Sequence, residues 1–120
     1  MLLKSIEKIA SFNANDNTIL KEIIHPKNDG VPLDYSLAQA VLKTGESSLP
    51  HCLKNQTELY VFLKGVGQIT IEEEHQSIQQ GDVVLVPKGA KQYVENLGDH
   101  DLEFLCIVSP PWKEGDDQLL

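Results

Sequence analysis

Between Leu33 and Val108 the apolar residues come in short bursts of Val, Ile, Leu, Tyr and Phe, broken by polar residues at alternate positions and by Gly, Pro, Asn and Asp at regular intervals. Alternation at period two marks a strand with one buried face, whereas a helix repeats near 3.6 residues. The pattern predicts strands over about residues 35–42, 48–53, 58–63, 67–72, 76–78, 83–86, 92–95 and 102–108. Gly65 and Gly67 flank a tight reversal, residues 72–75 read as a polar hairpin tip, and Leu97-Gly98-Asp99-His100 reads as another connection. Many short strands at this spacing predict an all-β barrel or jelly roll with its core over residues 33–109.

The flanks are expected to decorate that barrel. Residues 1–32 form an N-terminal arm, in which Leu2, Ile6 and Ile9 fit successive helical turns and residues 19–24 an outlying strand. Pro110 and Pro111 end the last strand, and residues 110–120 read as a C-terminal strap with Trp112 docked on the barrel wall.

Composition narrows the picture. A chain of 120 residues with 41% hydrophobic content reads as one domain spanning residues 1–120, able to bury roughly two-thirds of its unfolded surface. Eighteen acidic against ten basic side chains give a net charge of −8, which repels nucleic acid and anionic lipid. All ten basic residues are lysines, so the bidentate guanidinium clamp for phosphate or carboxylate is missing. Cys52 and Cys106 match no zinc or redox spacing, no run approaches the ~20 apolar residues of a membrane helix, and the N-terminus lacks a secretory pattern. A cytoplasmic protein is the expectation, with no nucleic-acid or membrane partner.

Candidate chemistry concentrates around His51. Gly45 is followed after five residues by His51, after one more by Leu53, after four by Glu58 and after six by Gly65. Alternation puts His51 and Leu53 on one face of a strand and Glu58, Tyr60 and Phe62 on one face of the next, so an imidazole and a carboxylate converge if both faces look inward. A second block repeats the logic: Gly81, five residues, Pro87, one, Gly89, two, Gln92, three, Asn96. Gln92 opens a returning strand and faces the same interior.

These two blocks resemble the two motifs of the cupin family, with every spacing matched. The resemblance implies a double-stranded β-helix, a jelly-roll barrel of the small single-domain type. It also implies a divalent-metal site in which the first motif supplies two histidines and a glutamate and the second a third histidine. The corresponding positions are His51, Leu53, Glu58 and Gln92. Leu53 cannot coordinate, and Gln92 offers one weak carbonyl oxygen. Two alternatives stay open: a weak site for Mn, Zn, Ni or Fe on His51, Glu58 and Gln92, or a metal-free network in which Gln92 donates its amide to Glu58. In either case Glu58 needs a partner, because an isolated buried carboxylate costs several kcal/mol or shifts its pKa upward. No organic cofactor is expected.

Among the other polar residues, His25, His75 and His100 read as solvated loop positions, and Cys52 as a packing residue facing away from the pocket. Tyr60 and Cys106 join Leu53 as candidate pocket residues. The fold family names no reaction. One reading is an isomerase- or epimerase-type enzyme on a small oxygenated metabolite, with Glu58 or His51 as catalytic proton carrier. A non-catalytic metabolite-binding or sensing module is the alternative, and a dioxygenase ranks below both because redox iron favours two histidines. A homodimer is also expected, since outward apolar residues such as Val61 and Leu63 need covering.

Overall fold

Inward and outward positions alternate cleanly along the central strands, and this places the core. The computed structural model describes residues 1–120, in eleven strands. The six-stranded sheet runs in the order β1 (Phe12–Asn13), β2 (Ile19–Ile24), β3 (Ser36–Leu42), β10 (Leu102–Ser109), β5 (Thr57–Lys64), β8 (Val83–Val86). The five-stranded sheet runs β11 (Asp117–Leu119), β4 (His51–Leu53), β9 (Gln92–Asn96), β6 (Val66–Ile71), β7 (Glu74–Gln79). All pairings are antiparallel. This is the all-β barrel that the strand rhythm predicts, in the two-sheet form that the resemblance implies. No helix is long and apolar enough to cross a membrane.

Register determines what the interior contains. Across β10 and β5, Phe104 faces Phe62, Cys106 faces Tyr60 and Val108 faces Glu58. The rings of Tyr60 and Phe104 meet edge to face at 5.2 Å, and Phe62 packs on Phe104 at the same distance. Across β10 and β3, Leu102 faces Leu42 and Phe104 faces Ala40. Strand β3 therefore presents Ser36, Ala38, Ala40 and then Leu42 to the inside. Large side chains close the end at Leu42, where Phe62, Ile69 and Leu102 are also fully buried. Small ones leave the opposite end hollow, and a cavity of about 490 Å³ opens there.

The flanks depart from expectation. The N-terminal apolar spacing yields one 3₁₀ turn, Ile6–Lys8, with no buried residue, because so short a helix has little to hold it without a packed face. The strand expected to begin at residue 48 is hydrogen-bonded as β4 only from His51. His25 is not a solvated loop residue: it is 8% exposed and caps the short helix α1 (Pro26–Asp29). Its Nδ1 accepts from Lys27 N and its Nε2 donates to Trp112 O at 2.7 Å. The C-terminal segment is more than a strap, since β11 lengthens the second sheet by pairing Asp117 with Leu53 and Leu119 with His51. Val61 and Leu63 are half-buried, while Val83 and Leu85 on the edge strand β8 and Phe12 on the opposite edge strand β1 are exposed.

Gly67 marks the tightest approach between strands. A Cβ there would sit 2.2 Å from the Glu95 carbonyl oxygen and 3.0 Å from a Leu102 methyl. Backbone cannot yield as a flexible side chain can, so Gly67→Ala is expected to destabilise the barrel by about 3 kcal/mol. Gly45→Ala, with φ of +79° and open space around it, is expected to cost about 1 kcal/mol from the left-handed backbone alone. Urea unfolding of the two variants checks the order.

Candidate functional site

Glu58 enters the interior on β5 between Leu59 and Thr57, which face outward. It is 7% exposed, and burial alone would make its ionised form costly. Gln92, opposite His51 in the β4–β9 pairing, answers that cost. Its Nε2 donates to Glu58 Oε1 at 2.8 Å, while its own Oε1 accepts from the Tyr60 hydroxyl. The Tyr60 proton fixes which way the amide points, and the amide fixes which oxygen of Glu58 is taken. Burial pushes the Glu58 carboxyl up to about 7, with the Gln92 hydrogen bond and the nearby His51 pulling the other way.

The neighbours of Glu58 stay protonated. Burial raises the Tyr60 phenol and the Cys106 thiol well above their ordinary values, and the Glu58 charge adds to both shifts. Tyr60 is therefore a fixed donor, and Cys106 is not a thiolate nucleophile.

His51 is placed by the segment before it. Its Nδ1 donates to Leu49 O at 2.7 Å, which leaves Nε2 as the free nitrogen. The same residue anchors the loop after β1, since Leu49 N donates to Asp16 O at 2.7 Å. Asp16 is held by its own turn, Oδ1 accepting from Thr18 N and Oγ1, and its Oδ2 stands 3.6 Å from His51 Nε2. From the other side the C-terminal segment contributes Trp112 and Asp117. Trp112 N donates to Ser36 Oγ at 2.9 Å, and Trp112 Nε1 donates to Asp117 Oδ2 at 3.3 Å. Burial raises the Asp117 carboxyl, whereas the charge of His51 and the Trp112 hydrogen bond oppose the rise.

Of the residues singled out in the sequence, His51, Leu53, Glu58, Tyr60 and Cys106 line the cavity together. Gln92 is 1% exposed and does not line it, standing behind Glu58 and Tyr60. Cys52 is buried outside the lining. His75 and His100 lie exposed away from the site. Asp16, Trp112 and Asp117 belong to the site and were not anticipated. An Asp two residues before a Thr signals a local turn, but nothing local carries either flank to His51.

The donor set does not fit a divalent ion. Gln92 has its oxygen on Tyr60 and its nitrogen on Glu58, Leu53 contributes no ligand, and no three His, Cys, Asp or Glu side chains converge closely enough to hold one. The arrangement matches the alternative in which Gln92 donates to Glu58.

Comparison with known proteins follows from this geometry. The family model described as Cupin domain matches residues 38–108. An uncharacterized protein of Methanocaldococcus jannaschii is 31% identical over 114 residues, covering 95% of this chain and 90% of its own. Mannose-1-phosphate guanylyltransferase of Salmonella montevideo is 26% identical over 95% of this chain, which spans only 25% of that enzyme. Among solved structures, a predicted oxalate decarboxylase from Thermotoga maritima superposes with a TM-score of 0.80 at 21% identity, over 91% of this chain and 99% of its own.

The raised Glu58 carboxyl has a thermodynamic signature. Below pH 4.5 the folded and unfolded chains both hold this proton, and between 4.5 and about 7 only the folded chain keeps it. Stability contributed by this group therefore falls as pH rises through that window, by roughly 3 kcal/mol in all. Glu58→Gln keeps the neutral shape at every pH, so the fall is expected to vanish and the variant to be the more stable of the two at pH 8. Urea titrations from pH 4 to 8 test this, and an unchanged slope in the variant would contradict it. A metal assay of protein purified without chelator is expected to find far less than one ion per chain; a stoichiometric ion lost in Glu58→Ala would reverse that reading of the donors.

Proposed function

The chain belongs to the cupin family, and from that premise we propose that its cavity binds a small oxygenated metabolite and moves a proton on it, as an isomerase or epimerase does. The observation that carries this reading is Glu58: a carboxyl buried in the cavity wall and raised to about 7 exchanges its proton near neutral pH. An ordinary carboxyl would be ionised there and too weak a base for the task.

The roles follow from the hydrogen bonds. With Oε1 occupied by Gln92, Glu58 presents Oε2 as the atom that gives or takes the proton. Gln92 acts as a positioning residue, holding the carboxyl from behind, and Tyr60 fixes the Gln92 amide from the cavity wall. His51 Nε2, whose ring is oriented through Nδ1 on Leu49, supplies a second acceptor or, when protonated, a donor. Leu53, Phe104 and Val108 give the apolar part of the wall that excludes water from the reacting atom. A step that moves a proton between adjacent carbons of a hydroxy-carbonyl compound needs only such a pair of groups. No part of this scheme passes through a metal.

Relatives' names point toward a sugar phosphate and oxalate, but this cavity has no lysine in its lining, and the chain has no arginine. A phosphate or dicarboxylate would meet no lysine or arginine there. That supports a substrate without those anions.

Screening small hydroxy-carbonyl metabolites for thermal stabilisation, followed by incubation of each binder in D₂O, tests the reading. The expected result is deuterium incorporated at a carbon next to a carbonyl, with the rate reduced at least about 100-fold in Glu58→Gln. Stabilisation without exchange would favour the non-catalytic binding module, and exchange undiminished in the variant would remove Glu58 from its role. Tyr60→Phe is expected to bind the same ligand but shift the pH profile of exchange, because the Gln92 amide loses the donor that fixes its orientation. An unchanged profile would refute a positioning role for Tyr60.

A further inference from the structure

The polar lining of the cavity is uneven in charge. Asp16, Glu22, Glu58, Glu114 and Asp117 all contribute to it, and no lysine does. With His51 as the one basic side chain, a ligand approaching this end meets a negative field that repels anions and attracts cations. Low-dielectric walls strengthen that discrimination.

Two polar atoms of lining residues lack a hydrogen-bond partner. His51 is 3% exposed, and its Nε2 makes no hydrogen bond, with Asp16 Oδ2 standing 3.6 Å away. Asp117 Oδ1 is buried and accepts no hydrogen bond, although Oδ2 of the same carboxylate takes the Trp112 indole proton. A buried acceptor left unpaired is costly, and nothing in the chain supplies it with a donor. A donor that also carries positive charge would satisfy it most strongly. The Trp112 side chain lines the same region, offering an indole ring of the kind that attracts ammonium groups. A bare divalent ion is the poorer occupant, since no three ligating side chains converge.

We propose that the cavity selects a small oxygenated ligand bearing an ammonium group, the ammonium held by Asp117 beside Trp112 and the oxygenated end turned to Glu58 and His51. This rests on the reading of the cavity as a small-molecule site and adds the charge of what enters it. It also names Asp117, on β11, as a specificity-determining residue. Nothing in either cupin-like motif contains it.

Matched probes separate the two claims. Fragments on shared skeletons, with glucosamine, glucose and gluconate as one set and 2-aminoethanol, ethylene glycol and glycolate as another, are compared by ligand-observed NMR and titration at pH 7. The amine of each set is expected to bind about tenfold more tightly than its neutral counterpart, with the carboxylate weakest. Asp117→Asn keeps an acceptor for Trp112 but removes the charge, and is expected to bring amine and neutral probe to within about twofold of each other. Neutral or anionic probes binding as well as the amines in the wild type would overturn the charge preference and leave the small-molecule reading intact. An amine preference that survives in Asp117→Asn would overturn the assignment of that residue. Silence from every probe would overturn the small-molecule reading itself, and this inference with it.

Discussion

A carboxyl in the interior of so small a barrel must be neutral, paired or wet, and how Glu58 meets that requirement determines the site around it. Gln92 supplies the pairing with one amide proton, and Tyr60 supplies the proton that orients Gln92. The chain of three then constrains everything nearby. It removes the Gln92 oxygen from any other duty, and the Glu58 charge adds to the burial that keeps Tyr60 a phenol and Cys106 a thiol. It also leaves a single Glu58 oxygen for the cavity. A buried network of this kind is tolerable only when its members are satisfied, and here each hydrogen bond reinforces the next.

The cavity itself has a simpler origin. A barrel whose inward positions were all large would be packed solid, and the end at Leu42, Phe62 and Leu102 is. At the other end β3 offers Ser36, Ala38 and Ala40, which cannot reach across to the opposite sheet. The volume they leave is where Glu58 and His51 emerge. The candidate site and the absence of packing are thus the same feature, written in one strand as a gradient from small to large side chains.

The barrel and its polar centre were legible because their causes are local. Period-two alternation is enforced by the pleat, so 58, 60 and 62 had to share a face, and so did 102, 104, 106 and 108. The two spaced motifs placed His51, Glu58 and Gln92 in the interior for the same reason. What escaped depends on long-range closure. Asp16 reaches His51 through Leu49, Asp117 reaches it through the β4–β11 pairing, and no periodicity joins positions 16, 51 and 117. His25 misled for a related reason: the residue before a proline reads as an exposed turn, and its burial is imposed by a Trp112 carbonyl 87 residues away. Three apolar residues at helical spacing misled in the opposite sense, since pattern without a packed partner does not sustain a helix.

Replacing two imidazole positions by Leu53 and Gln92 does more than weaken a site for an ion. A metal beside Glu58 would hold it ionised, whereas an aliphatic side chain and a neutral amide leave desolvation as the largest influence on its proton. The groups that face it are His51 on β4, Tyr60 on β5, Gln92 on β9 and Cys106 on β10, with Asp16 beyond His51, and the hydrogen bonds of Gln92 and Tyr60 and the charge of His51 favour the ionised form without outweighing burial. A carboxyl in that balance responds to whatever charge enters the cavity. A cationic ligand lowers its pKa and drives its proton off, while a neutral one leaves the proton in place. Binding and protonation are then linked, each shifting the other by the same free energy. On this view the depleted motif exchanges a fixed cation for a transient one, and the ligand that the acidic lining attracts is also the agent that turns Glu58 from an acid into a base.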